Sequence, residues 1–166
     1  MKARHRILIF CLVCFAFIGC DKATKNLAKT HLMGKEPISF LQNTFRLEYA
    51  ENTGAFLSFG ADWPKTIGFW AFGVLPFILL SALFVYAINK LKQRTFLDML
   101  PIAFIFSGGI GNISDRIVYD RHVVDFMNLG ISGIRTGIFN FADVYVLTGI
   151  ILIFYARYKK LPANEV

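Results

Sequence analysis

Three aspartates in the second half of this 166-residue chain stand where their neighbours are mostly apolar. Asp115 and Arg116 close the run Gly108-Gly109-Ile110-Gly111-Asn112-Ile113-Ser114. Asp125 sits inside Val123-Val124-Asp125-Phe126, a frame that keeps water away and raises a carboxyl pKa unless a partner helps. Asp143 opens the last apolar run, three residues after Asn140. Two carboxylates in a half-dry site cannot both ionise easily, so they share a proton and titrate as a pair. One can then take a proton from water while the other gives one to a scissile carbonyl oxygen. That is aspartic-peptidase chemistry. Asp125 and Asp143 are about 18 residues apart, so the fold and not local spacing has to join them. Plainer roles exist for most of these residues. Asn140 can cap a helix with Asp143 in its first turn, Asp115–Arg116 can be a boundary ion pair, and Gly108, Gly109 and Gly111 can let helices approach closely. On the residues alone both sets of roles stay open.

Other chemistries fit less well. A His-Glu-x-x-His zinc motif, a Gly-x-Ser-x-Gly nucleophile motif and a phosphate-binding loop are all absent, and the glycine cluster lacks a dinucleotide-binding context. A Ser–Lys pair using Lys25 finds no serine that stands out. Cys11, Cys14 and Cys20 all lie in the first apolar segment, and His5, His31 and His122 have no metal-ligand spacing with them. No metal and no cofactor are expected.

The elements that position these acids are membrane spans. The chain is 55% hydrophobic and only 17% charged, and its apolar residues come in long runs. Four spans are expected, at about 7–27, 66–88, 96–113 and 138–156, in a single membrane domain, with Pro76 kinking the second. The net charge of +7 does not point to nucleic acid. Its Lys and Arg cluster beside the apolar runs, at the N-terminus, in 89–94 and at the C-terminus, so all three are placed on the cytoplasmic side. Loops 28–65 and 114–137 then lie outside. Phe45, Leu47 and Tyr49 alternate with polar residues, a half-buried strand. Glu51-Asn52-Thr53-Gly54 reads as a turn and Ala55 to Phe59 as a returning strand, giving a β-hairpin over 44–59 within a small sheet on the outer membrane surface. Residues 127–137 read as a glycine-rich loop.

This topology brings distant polar residues to one depth. Asp21 and Lys25, i,i+4 on one helix face, end span one. Asn52 lies in the first outer loop, Asn112, Asp115 and Arg116 end span three, Asp125 lies in the second outer loop, and Asn140 and Asp143 begin span four. An ion pair inside a membrane is costly unless it faces the protein interior and serves a purpose.

Four blocks carry a resemblance. Asp21-Lys-Ala-Thr-Lys25, Glu51-Asn52-Thr53-Gly54-Ala55-Phe56, the run from Gly108 to Arg116 with Val123–Phe126, and Phe139-Asn140-Phe141-Ala142-Asp143 together resemble lipoprotein signal peptidase, the signal peptidase II family. Lys22 departs from the Gln frequent there. The resemblance implies an aspartic endopeptidase of the bacterial inner membrane, multi-pass, with its active site on the outer side. Its substrates would be prolipoproteins bearing a diacylglyceryl group, cut just before the lipidated cysteine. By motif, Asp125 and Asp143 are the catalytic pair, and Asn52, Gly54, Asn112, Arg116 and Asn140 bind substrate or support the dyad. Asp21, Lys25 and Asp115 are structural polar partners. Membrane lipids and diacylated prolipoproteins are the expected partners, nucleic acid is not, and the protein is expected to be a monomer.

Two other functions compete. A small four-span binding or transport protein would use buried acids for protons or cations. A basic head, a short apolar run and Cys20 also imitate a lipoprotein signal. The helix-forming residues after Cys20 and the three further spans weigh against that second reading.

Overall fold

A computed structural model describes residues 2–55, 59–131 and 133–159. Four helices in it are long and apolar enough to cross a membrane. The first, α1 (Ala3–Leu32), runs unbroken through Cys20. At about 1.5 Å per residue it is about 45 Å long, the full thickness of a bilayer with its headgroups. The second span begins with α2 (Lys65–Phe69), passes through a π-helical turn (Trp70–Val74) and continues as α3 (Leu75–Lys90). Pro76 stands in the first turn of α3. Its ring lacks an N–H and crowds the preceding turn, and a wider π turn there accommodates it.

Helix α4 (Phe96–Val118) starts at a capping box: Thr95 Oγ1 accepts from Asp98 N, and Asp98 Oδ2 accepts from Thr95 N. It extends five residues beyond the expected end of span three. Residues 114–118 were expected in a loop. They stay helical because the extra turn carries Asp115 into a buried ion cluster and points Arg116 at the site. Helix α5 (Phe141–Tyr158) starts three residues later than expected. Ile138–Asn140 is extended instead, since Phe139 exchanges backbone hydrogen bonds with Met127.

Contact between α4 and α5 is close enough to require glycine. A Cβ on Gly108 would collide with the Ala142 carbonyl oxygen, and one on Gly149 would come within 2.6 Å of the Pro101 carbonyl oxygen. Small residues here let two backbones meet where lipid gives no hydrophobic drive for association.

The segments between α1 and α2 and between α4 and α5 form one antiparallel sheet in the order β1 (Ile38–Phe40), β2 (Phe45–Asn52), β3 (Val123–Ile131), β4 (Ile134–Arg135). Strand β2 is the expected alternating strand, but its neighbours are β1 and β3. The returning strand assigned to 55–59 falls on residues 56–58, which lie outside the described residues. A loop was expected over 127–137; residues 127–131 instead belong to β3. The stretch Val123–Asn128 is buried throughout, so it shows no alternation to betray a strand. Ala28 and Leu32 of α1 pack with Val124, Phe126 and Met127, and Phe45, Leu47 and Tyr49 pack against that cluster. The sheet is thereby seated on the protruding end of α1.

Candidate active site

Asp125 and Asp143 reach the same place from different elements. Asp125 comes from the buried half of β3, paired opposite Ala50 of β2. Asp143 occupies the third position of α5, in a capping box with Asn140. The capping role considered for Asn140 and Asp143 is therefore real: Asp143 N donates to Asn140 Oδ1 and Asn140 N donates to Asp143 Oδ2, both at 3.0 Å. It does not exclude the other role, because the Asn140 amide turns toward Asp125. Its Nδ2 donates to Asp125 Oδ1 at 2.6 Å. One fully buried asparagine thus holds both carboxylates.

Each carboxylate has a second amide partner. Asn52, at the end of β2, donates to Asp125 Oδ2 at 3.3 Å. Asn112 of α4 donates to Asp143 Oδ1 at 2.8 Å. Asp125 is 3% exposed. Burial pushes its pKa up, the nearby Asp143 carboxylate pushes it further, and the bonds from Asn140 and Asn52 oppose them; the result is about 7. Asp143 stands instead at a helix N-terminus, accepting a backbone N–H within a turn whose dipole favours an anion. The two acids therefore occupy unlike environments, one in the buried half of a strand and one at a helix start.

Behind the amides lies a buried ion cluster. Lys25 Nζ is 2.7 Å from Asp21 Oδ2 and 2.8 Å from Asp115 Oδ2, and all three side chains are buried. Lys22 adds a bond of 2.9 Å to Asp115 Oδ1. The cluster balances two acids with two bases. It also reaches the site by two routes. Lys25 donates to Asn112 Oδ1 at 2.9 Å, which leaves the Asn112 NH2 group to face Asp143. Asp21 Oδ1 accepts from Ala142 N at 2.9 Å, satisfying a free N–H in the first turn of α5.

Arg116 does not bond either carboxylate. Its Nη2 donates to the Gly54 carbonyl at 2.6 Å and its Nη1 to the Asn112 carbonyl of its own helix. Gly54 itself belongs to an Asx turn, donating its N–H to Asn52 Oδ1 at 2.9 Å. Arg116 and Asn52 thus hold the 52–55 turn over the acids. All ten expected site residues join this one hydrogen-bonded assembly, in three tiers: the acids, the amides and turn around them, and the ion cluster behind.

Two participants were missed by sequence reasoning. Lys22, noted only as a departure from a pattern, completes the ion cluster. Arg121 donates to the carbonyls of Thr53 and Trp63 and lies against Gly68, so it ties the two ends of the segment between β2 and α2. Its left-handed backbone beside Asp120 marks a tight turn after α4. Among the described residues no group of three or more His, Cys, Asp or Glu is placed to hold a metal.

Comparison with known proteins agrees with this arrangement. The family model described as Signal peptidase (SPase) II matches residues 13–159. A lipoprotein signal peptidase of Borrelia hermsii is 34% identical, over 98% of this chain and 97% of the relative. One of Borrelia garinii subsp. bavariensis is 35% identical, over 91% of this chain and 89% of its own length. A solved structure described as a bacterial membrane enzyme, determined by the in meso method, superposes with a TM-score of 0.75 at 26% identity, covering 95% of this chain and 94% of the other. The chain belongs to the signal peptidase II family: it is a multi-pass inner-membrane protease that removes signal peptides from lipoproteins.

Proposed function

We propose that Asp125 and Asp143 form an aspartic dyad that cuts diacylglyceryl-modified prolipoproteins just before the lipidated cysteine, at the outer face of the membrane. The observation that carries this reading is Asn140, which binds both carboxylates at once while starting α5. Asp125, with its carboxyl raised to about 7, is the acid that holds the proton near neutral pH. Asp143 is the base.

A water molecule between them gives one proton to Asp143 as its oxygen attacks the scissile carbonyl carbon. The Asp125 proton passes to the carbonyl oxygen, and a tetrahedral diol results. Asp143 then returns its proton to the leaving nitrogen as the C–N bond breaks. Asp125 recovers a proton from one diol hydroxyl, which restores the carbonyl, and both acids return to their starting states. Asn52, Asn112 and Asn140 keep the carboxylates aimed throughout. Arg116 and Gly54 shape the turn that meets the substrate backbone. The acyl chains stay in the bilayer while the cut is made, which suits a site at the helix ends. The basic N-terminus and the 89–94 loop fit a cytoplasmic side opposite the site, and the protein acts as a monomer.

The test uses purified protein in detergent micelles with a diacylated prolipoprotein, followed by gel shift. Asp125→Asn and Asp143→Asn should each abolish cleavage while thermal unfolding stays cooperative. Normal cleavage by either variant refutes the dyad.

A further inference from the structure

The sheet has a second polar centre at the end remote from Asp125. The turn joining β1 to β2 runs through Leu41, Gln42 and Asn43 with positive φ at all three. Asn43 is the knot of this region. Its side-chain Oδ1 accepts from Nε of Arg46, and its carbonyl accepts from Nη1 of Arg135 at 2.8 Å. Arg135, on β4, also donates through Nε to the buried Asn128 of β3. Two guanidinium groups are thereby held by the ends of both hairpins, with Gly130 leaving the room that Arg135 fills.

Between them opens a cavity of about 500 Å³, lined by Arg46, Arg135, Asn43, Thr44 and Gly130 among others. No acid is among the described residues that line it. Nε of Arg46 is engaged by Asn43 and Arg135 has three internal bonds, while each guanidinium carries five N–H donors. Donors remain for an anion with several oxygens, and the planar fork suits phosphate best.

The surroundings indicate where that phosphate resides. Leu41, Ile131 and Ile134 on the same hairpin ends are 78%, 72% and 83% exposed. Exposed aliphatic residues beside a pair of arginines form an interfacial pattern, an apolar surface next to cations. Depth agrees. The sheet rests on the Leu32 end of α1, and a helix of that length ends in the headgroup layer.

We infer that the β1–β2 and β3–β4 hairpin ends form a docking site for a phospholipid headgroup of the protein's own bilayer, with Arg46 and Arg135 taking the phosphate and Leu41, Ile131 and Ile134 entering the acyl boundary. This assignment does not depend on the dyad. It gives the sheet a fixed height above the membrane, set by a lipid and not by the helices alone.

Hydrogen exchange of the hairpin ends tests it, on protein in maltoside micelles, which lack phosphate. Three additions are compared: phosphatidylglycerol, diacylglycerol and glycerol phosphate. Phosphatidylglycerol should slow exchange over 38–46 and 129–136, and the other two should not. In Arg46→Gln/Arg135→Gln the lipid fraction for half protection should rise about thirtyfold. Arg46→Gln, which gives up one internal bond only, should move it part of the way. That single variant decides the matter if the double variant loosens the hairpins before lipid is added. Equal protection by diacylglycerol means that apolar insertion acts alone, and equal protection by glycerol phosphate means a soluble-anion site. Either result overturns the assignment, as does protection that survives in Arg46→Gln undiminished.

Discussion

Replacing Asp125 by Asn should abolish cleavage and yet stabilise the protein at alkaline pH. The Asp125 carboxyl is raised from 3.8 to about 7, first by burial and then by Asp143. Below about pH 4 it is protonated in both folded and unfolded chains, and titration costs the fold nothing. Between pH 4 and 7 the unfolded chain releases this proton while the folded chain retains it. Stability therefore falls as pH rises, by about 1.4 kcal/mol per pH unit, and the loss is complete above about pH 7. Its total is about 4 kcal/mol as an upper figure, because water admitted to the site relaxes part of the burial. Asparagine does not titrate. The stability difference between Asp125→Asn and the parent should thus grow by up to this amount from pH 4 to pH 8, which for a chain of this size is on the order of 10 °C in Tm. Unfolding of both proteins in the same detergent, followed calorimetrically across that range, measures it. A difference that stays constant with pH refutes the raised carboxyl, and with it the assignment of Asp125 as the acid.

Further outcomes follow from the same geometry. Asp143→Asn removes one of the two causes that raise Asp125, so the midpoint of the Asp125 titration, read by carbon-detected NMR of the labelled carboxyl, should drop and yet stay above 3.8. Asn140→Ala removes the 2.6 Å bond to the Asp125 carboxylate and the side-chain cap on Asp143 N of α5; cleavage should fall steeply, with about 1 kcal/mol of stability lost to the cap alone, measured by denaturant unfolding. Lys25→Met leaves Asp21 and Asp115 buried with only Lys22 to balance them, and should cost about 3–5 kcal/mol; Lys25→Met/Asp21→Asn should recover part of it. Gly108→Val drives a side chain into the Ala142 backbone, so α5 must shift, and activity should fall further than helix content measured by circular dichroism.

Much of this site is visible in the sequence because membranes restrict the options. Charges are costly in an apolar span, so Asp21, Lys25, Asp115 and Asp143 announce themselves against their neighbours, and the basic clusters place them all at one depth. Asn140 and Asp143 show why the capping and site roles could not be separated beforehand: the same two side chains perform both. The sheet was harder to read. Strand β2 alternates in sequence because Phe45, Leu47 and Tyr49 pack against the cluster at the end of α1. The buried part of β3 does not alternate, and Gly130 near its end and Gly133 beyond it look like a loop. Strand pairing between residues 45–52 and 123–131 joins segments separated by two membrane spans, and no local pattern records such a partner. Lys22 escaped notice because an exposed-looking lysine near a helix end has many bland explanations, and its partner Asp115 is far away in sequence.

The ion cluster also sets an order of assembly. Asp21 and Lys25 enter the membrane on the first helix and, as an i,i+4 pair, neutralise each other on the way. Their remaining partners, Asp115 and the Ala142 N–H, are on the last two helices. Asn112 receives its orientation from Lys25, and Asp143 arrives only with α5. A nascent chain therefore cannot bring Asp125 and Asp143 together until its final span docks. The first helix to be made waits, half-satisfied, for the last.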